Sequence, residues 1–101
     1  MSKVSTLEKN RFSVFTNDMN KCIICNQPRQ DINEIFMGRN RQNSMRYGLC
    51  IPMCRKCHEK YHKDRNMQLY FMEKAYNVFI ELYSIKEFKN TFGYIKGLDL
   101  F

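Results

Sequence analysis

Four cysteines carry the clearest chemistry in this chain. Cys22 and Cys25 form one Cys-x-x-Cys pair and Cys54 and Cys57 another, with 28 residues between the pairs. Zinc prefers four tetrahedral ligands, and thiolates suit it well. Each short pair can turn back on itself and present two sulfurs to one ion. The spacing therefore predicts a single structural Zn2+ held by all four. Four sulfur ligands leave no open coordination position, so this ion would brace the fold and take no part in catalysis. Buried free thiols rarely fall in two such pairs, and a redox dithiol would explain one pair but not both. Cys50, the fifth cysteine, lies in an apolar run and is expected to be a small buried hydrophobe.

A second pair of candidate ligands follows directly. His58 and His62 are four residues apart on an expected helix, so they share a face. Two imidazoles at that spacing can chelate a divalent metal, and the adjacent zinc ligand would fix the direction of His58. Taken alone, the pair fits equally well with one histidine substituting as a zinc ligand, or with two ordinary surface side chains.

The formal net charge is +7. The excess is local: Arg39, Arg41, Arg46, Arg55, Lys56, Lys60, Lys63 and Arg65 stand against only Glu59 and Asp64. A basic run alone can be a solvated face. Beside a metal-binding element it points to a polyanion, most simply nucleic acid. The stretch is not an amphipathic helix with a broad apolar side, which argues against a membrane surface.

The elements that must position these groups can be read from the pattern. Arg11-Phe-Ser-Val-Phe15 alternates as a short half-buried strand would. Asp31-Ile-Asn-Glu-Ile-Phe36 reads as a strand with Ile32 on one face and Asp31 and Asn33 on the other. Gly38 to Ser44 reads as a polar, arginine-bearing loop. Tyr47-Gly-Leu-Cys-Ile-Pro-Met53 reads as a second strand, whose proline favours an edge or a strand end. From Cys54 the pattern turns helical, with a break at residues 64–66 and Asn66 as the expected N-cap. Tyr70, Phe71, Ala75, Val78, Phe79 and Leu82 then form an apolar stripe suited to core packing. Ser84-Ile-Lys-Glu87 is a capping box for a last helix, which Gly93 should end.

The 101 residues suffice for one small domain, a size that often needs a staple. No apolar run approaches the ~20 residues of a membrane span. Lys3, Glu8, Lys9 and Arg11 interrupt the start before a signal-peptide core can form. The expectation is a soluble, cytoplasmic protein, in a reducing compartment where paired cysteines are more often ligands than disulfides. Residues 1–20 read as an N-terminal segment with a short strand, and residues 21–101 as a zinc-braced domain that includes the C-terminal helices.

Taken together, these residues resemble small phage proteins of the HNH endonuclease superfamily. The resemblance runs from Cys22-Ile-Ile-Cys25 through Asn33-Glu-Ile-Phe-Met-Gly38, Arg41, Ser44, Tyr47-Gly-Leu49 and Cys54-Arg-Lys-Cys-His58 to His62. Phe79, Tyr83, Glu87-Phe88 and Phe92-Gly93 extend it into the tail, so that it covers roughly residues 20–95. It implies an α+β chain with the ββα-metal (His-Me finger) fold: two strands joined by a loop, then a helix, around a catalytic divalent cation such as Mg2+ or Mn2+. It implies that His58 and His62 are ligands of that cation, with Asp31 as a candidate third. It places the asparagine that orients the general base at Asn43, with Asn40 as the alternative.

One departure matters. The family's base histidine falls on Asn33, and a neutral amide cannot take a proton from the attacking water at ordinary pH. The resemblance thus implies a metal-dependent DNA endonuclease, impaired or inactive as written, acting on double-stranded DNA in a phage or its bacterial host. Glu34 is the nearest alternative base, although on a strand it would face away from Asn33. Arg39, Arg41, Arg46, Lys60 and Lys63 would grip the backbone. Two other readings compete: a non-catalytic nucleic-acid-binding zinc module, and a phage accessory protein that binds and inhibits a host protein.

Overall fold

The computed structural model describes residues 6 and 9–98. Strands β1 (Asp31–Glu34) and β2 (Cys50–Met53) pair antiparallel, with Asp31 opposite Met53, Asn33 opposite Ile51 and Glu34 opposite Cys50. Both are shorter than the sequence pattern suggested. Pairing runs one step further, through the Ile35 N–H to the Leu49 carbonyl at 3.0 Å. It then stops because Gly48 turns the chain at φ +73°, under the Phe12 ring, where any Cβ would collide. Pro52 cannot donate to a ladder, and the sheet has only two strands. Its carbonyl instead accepts the Ile23 N–H at 2.9 Å, which attaches the first cysteine turn to β2.

The connection between the strands corrects the expected loop. A 3-10 turn (Gly38–Asn40) leads into helix α1 (Arg41–Arg46). Only Ser44 and Met45 of this helix are buried, too few to leave a periodic signal. Ser44 is inward because its hydroxyl donates to the Phe36 carbonyl at 2.7 Å and accepts the Phe36 N–H at 3.0 Å.

The expected strand at residues 11–15 does not form. Val14 makes a single backbone bond, to the Gly48 carbonyl at 2.9 Å. Val14 and Phe15 pack on the core while Phe12, which a strand would put on the face of Val14, is 48% exposed.

Three helices follow: α2 (Arg55–Lys63), α3 (Arg65–Leu82) and α4 (Ile85–Phe92). The break between α2 and α3 is one residue, Asp64. Its N–H donates to the Tyr61 carbonyl and its carboxylate accepts the Met67 N–H at 3.1 Å. Asp64, and not Asn66, is therefore the N-cap, since it alone can close one helix and open the next. Ser84 caps α4 by accepting the Glu87 N–H at 3.0 Å, as its motif predicts, and Gly93 follows the last turn at φ +72°.

The core is aromatic. Phe36, Phe79, Phe88 and Phe92 meet with ring centroids 4.9–5.6 Å apart. Such pairs contribute about 0.5–1.5 kcal/mol each beyond burial. The α3 stripe is rotated from the expected one. Phe71, Ala75 and Phe79 are buried as read, but Met72 and Tyr76 join them, while Tyr70 and Leu82 are 56% and 62% exposed. The buried face follows the contacts of α3, with Tyr61 of α2 against Phe71 and Phe88 of α4 against Tyr76 and Phe79. The result is a small α+β fold. None of its described helices is long and apolar enough to cross a membrane.

Candidate metal centres

The four cysteines converge. Their sulfurs all lie within 4.8 Å of one another, and those of Cys25 and Cys54 are 3.6 Å apart. A tetrahedral ion with sulfur ligands at ~2.3 Å requires sulfurs ~3.8 Å apart, so the spacing fits a metal such as zinc.

Local backbone chemistry builds this geometry. The Cys22 N–H donates to the Gln27 carbonyl at 2.7 Å, and the Asn26 N–H to the Cys22 carbonyl at 2.9 Å. Asn26 takes φ +66°, a left-handed conformation that asparagine tolerates better than most residues. This turn aims two sulfurs at the end of β2. There Cys54 caps α2, its sulfur accepting the Cys57 N–H at 3.5 Å. A thiolate at a helix N-terminus is stabilised by the partial positive charge of the unpaired amides.

The thiols lie close enough to hydrogen-bond with one another. Burial pushes Cys22 up, but backbone hydrogen bonds at Cys25, Cys54 and Ile24 outweigh it and bring the thiol down to about 6. Cys57 is pushed up to about 12, by burial first and then by hydrogen bonds with the other three thiols. Crowded sulfurs resist ionising together, and a dication removes that resistance. Cys50 stands apart as expected. It is fully buried, and burial together with the Glu34 charge pushes its thiol up to about 12.

One turn further along α2, the two imidazoles face each other, with Nε2 atoms 3.0 Å apart. His58 Nδ1 lies 3.3 Å from an Asp31 carboxylate oxygen, and Arg55 Nε lies 3.8 Å from the same oxygen. Two nitrogen ligands at ~2.1 Å and a right angle would be ~3.0 Å apart, so the pair fits one cation, and equally a direct N–H···N bond. With Nδ1 turned to the carboxylate, Nε2 of His58 is the end left for a ligand or a proton. Asp31 therefore braces His58. Among the described residues, only the four cysteines bring three or more candidate ligand atoms mutually within 4.8 Å, so Asp31 does not close a trio with both histidines.

Asn33 shares the Asp31 face of β1 but is only 2% exposed, beside Tyr61. Burial raises the Tyr61 phenol, and the Asn33 side chain and the Arg65 charge offset this only in part. Asn33 Nδ2 and Tyr61 Oη are both buried without a well-formed hydrogen bond. The loop asparagines are engaged elsewhere. Asn43 donates to the Thr91 carbonyl at 3.1 Å and Asn40 to the Phe92 carbonyl at 3.0 Å. Both thus satisfy carbonyls in the last turn of α4.

Glu34 is the residue whose role sequence reasoning underweighted. Its carboxylate is nearly buried, with Arg41 Nε at 2.9 Å and Arg11 Nη1 at 3.3 Å. The signal was an acid directly before the apolar pair Ile35-Phe36, where burial demands a cationic partner.

The candidate phosphate-gripping residues do not share one face. Arg41 is engaged with Glu34, and Arg46 donates to the Asn43 side chain at 3.1 Å. Arg39 is exposed on the 3-10 turn. Lys60 and Lys63 line an open cleft of about 540 Å³ with Lys56, Glu59 and Asp64. At about 100° per residue, Lys60 lies roughly half a turn around α2 from both histidines.

The fold and site define a small α+β chain stapled by a candidate four-cysteine metal centre. Comparison with known proteins found no matching family model, no similar curated protein and no similar solved structure.

Proposed function

We propose that this chain is a zinc-stapled ββα-metal domain, a metal-dependent DNA endonuclease of HNH type whose hydrolysis is held back by Asn33. The observation that carries this reading is the line Asp31–His58–His62 on a helix that follows an antiparallel hairpin and is braced by the four-cysteine cluster. A divalent cation such as Mg2+ or Mn2+ would neutralise charge building on a phosphodiester during its hydrolysis. His58 and His62 supply the nitrogens for it, and Asp31 fixes the tautomer and direction of His58. Lys60 and Lys63 supply a sequence-independent grip on a DNA backbone away from the histidine pair, and Arg39 a further contact on a different face.

A second reading, a nucleic-acid-binding module without catalysis, is favoured by the burial of Asn33. Both readings require electrostatic binding to nucleic acid, for which duplex DNA is the first probe. Anisotropy titrations across a salt series test this. Lys60→Ala with Lys63→Ala should weaken binding to unrelated duplexes equally and flatten the slope of log K against log salt by about 2. Affinity that does not change with salt would remove nucleic acid as the partner.

A further inference from the structure

Two clefts meet at the C-terminal end of α4. One, of about 530 Å³, is lined by Arg39, Arg65, Lys96, Tyr94 and Met37 among others. The other, of about 320 Å³, includes Asn43, Asn90 and Gly93. Arg39 and Asn40 line both, so the two form one groove. None of its lining residues belongs to the cysteine cluster or the histidine pair.

The groove meets the lysine cleft along α2 at Arg65, which lines both, but differs from it in charge. That cleft carries Glu59 and Asp64 among its cations, whereas among the described residues no acidic one lines the groove. One cation of the groove, Arg65, is also held in place. Arg65 donates to the Gln68 side chain at 3.1 Å and to the Lys96 carbonyl at 2.6 Å, both neutral acceptors that leave its charge uncancelled. Arg39 passes over Gly93, so closely that a Cβ there would lie 3.1 Å from its Nη2. Beside these cations stands Tyr94, 78% exposed, an aromatic ring that the core does not use.

Clustered cations beside an open aromatic ring are what a phosphate-linked chain of unstacked bases requires. The cations meet the backbone, and the ring takes a base face. A duplex hides its base faces and cannot use the ring. We infer that this groove binds a short single-stranded stretch of nucleic acid, with Tyr94 as the stacking platform and Arg39, Arg65 and Lys96 on the phosphates. The inference rests on the nucleic-acid reading above and adds a second contact surface with its own strand preference.

The test is anisotropy at low and physiological salt with two labelled probes, a short oligothymidine and a duplex of equal length, on the full chain. Tyr94→Ala should weaken oligothymidine binding about tenfold and leave duplex binding unchanged. Tyr94→Phe should retain binding, since it keeps the ring. Lys60→Ala with Lys63→Ala should do the reverse, weakening the duplex more than the single strand. If oligothymidine binds with the same affinity after Tyr94→Ala, the groove is not its site, and the nucleic-acid reading survives on the α2 face. If neither probe binds even at low salt, the nucleic-acid reading fails and this inference with it.

Discussion

Replacing Cys54 with serine should abolish cooperative thermal unfolding of this chain. Binding of a structural zinc supplies folding free energy of about 10 kcal/mol or more in small knuckle domains. Total domain stability is only about 5–15 kcal/mol. Losing one of four ligands thus removes a term as large as the whole. Cys54 also caps α2 and ends β2, so its loss alone does not separate ligation from packing. Cys25 does. Its side chain is exposed, so Cys25→Ser removes no core contact and should collapse the fold by ligation alone. Cys50→Ala is the control, because Cys50 lies outside the cluster and should cost far less. Circular dichroism melts of the three variants, and of the parent chain after strong chelation, provide the comparison. A cooperative melt in metal-free Cys25→Ser would show that the cluster is not the staple.

What the sequence made legible was whatever depends on short-range spacing. The Cys-x-x-Cys pairs, the i, i+4 histidines and the Ser84 capping box each depend on neighbours within one turn, and each appears where it was expected. What it hid depends on partners far along the chain. Ser44 looks like a loop residue until Phe36 engages both sides of its hydroxyl. Asn40 and Asn43 look available until the end of α4 takes their amides, about fifty residues away. The strand pattern at residues 11–15 failed because alternation reports a half-buried segment, and only one backbone bond was available to it. The buried face of α3 follows its contacts with α2 and α4, and periodicity fixes the width of an apolar face better than its centre.

The second large effect concerns position 33. Asn33→His should raise metal-dependent plasmid nicking by about 10²–10⁴-fold, the usual contribution of a general base. The parent chain should be inert or very slow even with metal supplied. Asn33 lies on the same strand face as Asp31, and Asp31 holds His58, so a base at 33 would share the side of β1 that carries the histidine pair. The site can also accommodate an imidazole chemically. Asn33 Nδ2 and Tyr61 Oη are both without a well-formed hydrogen bond, and a ring nitrogen at position 33 could accept from the tyrosine hydroxyl. Burial is the opposing factor, since a base must reach water and Asn33 is 2% exposed. The Asn33→His variant with Tyr61→Phe removes the hydroxyl that would compete for that nitrogen, and should be at least as active as Asn33→His alone. Asn33→His with His58→Ala should return to background. If Asn33→His stays silent in magnesium, manganese, nickel and zinc while its fold is intact, this is not a nuclease lacking only its base.

Two candidate metal stations adjoin α2: a closed four-cysteine cluster and an open imidazole pair. Native mass spectrometry of the full chain, prepared with zinc and then titrated with manganese or nickel, counts both. One ion should survive mild chelation and depend on Cys25, and one exchangeable ion should disappear in His58→Ala while the first remains. A folded chain that carries no tightly held ion, or a second ion indifferent to His58→Ala, would contradict that assignment.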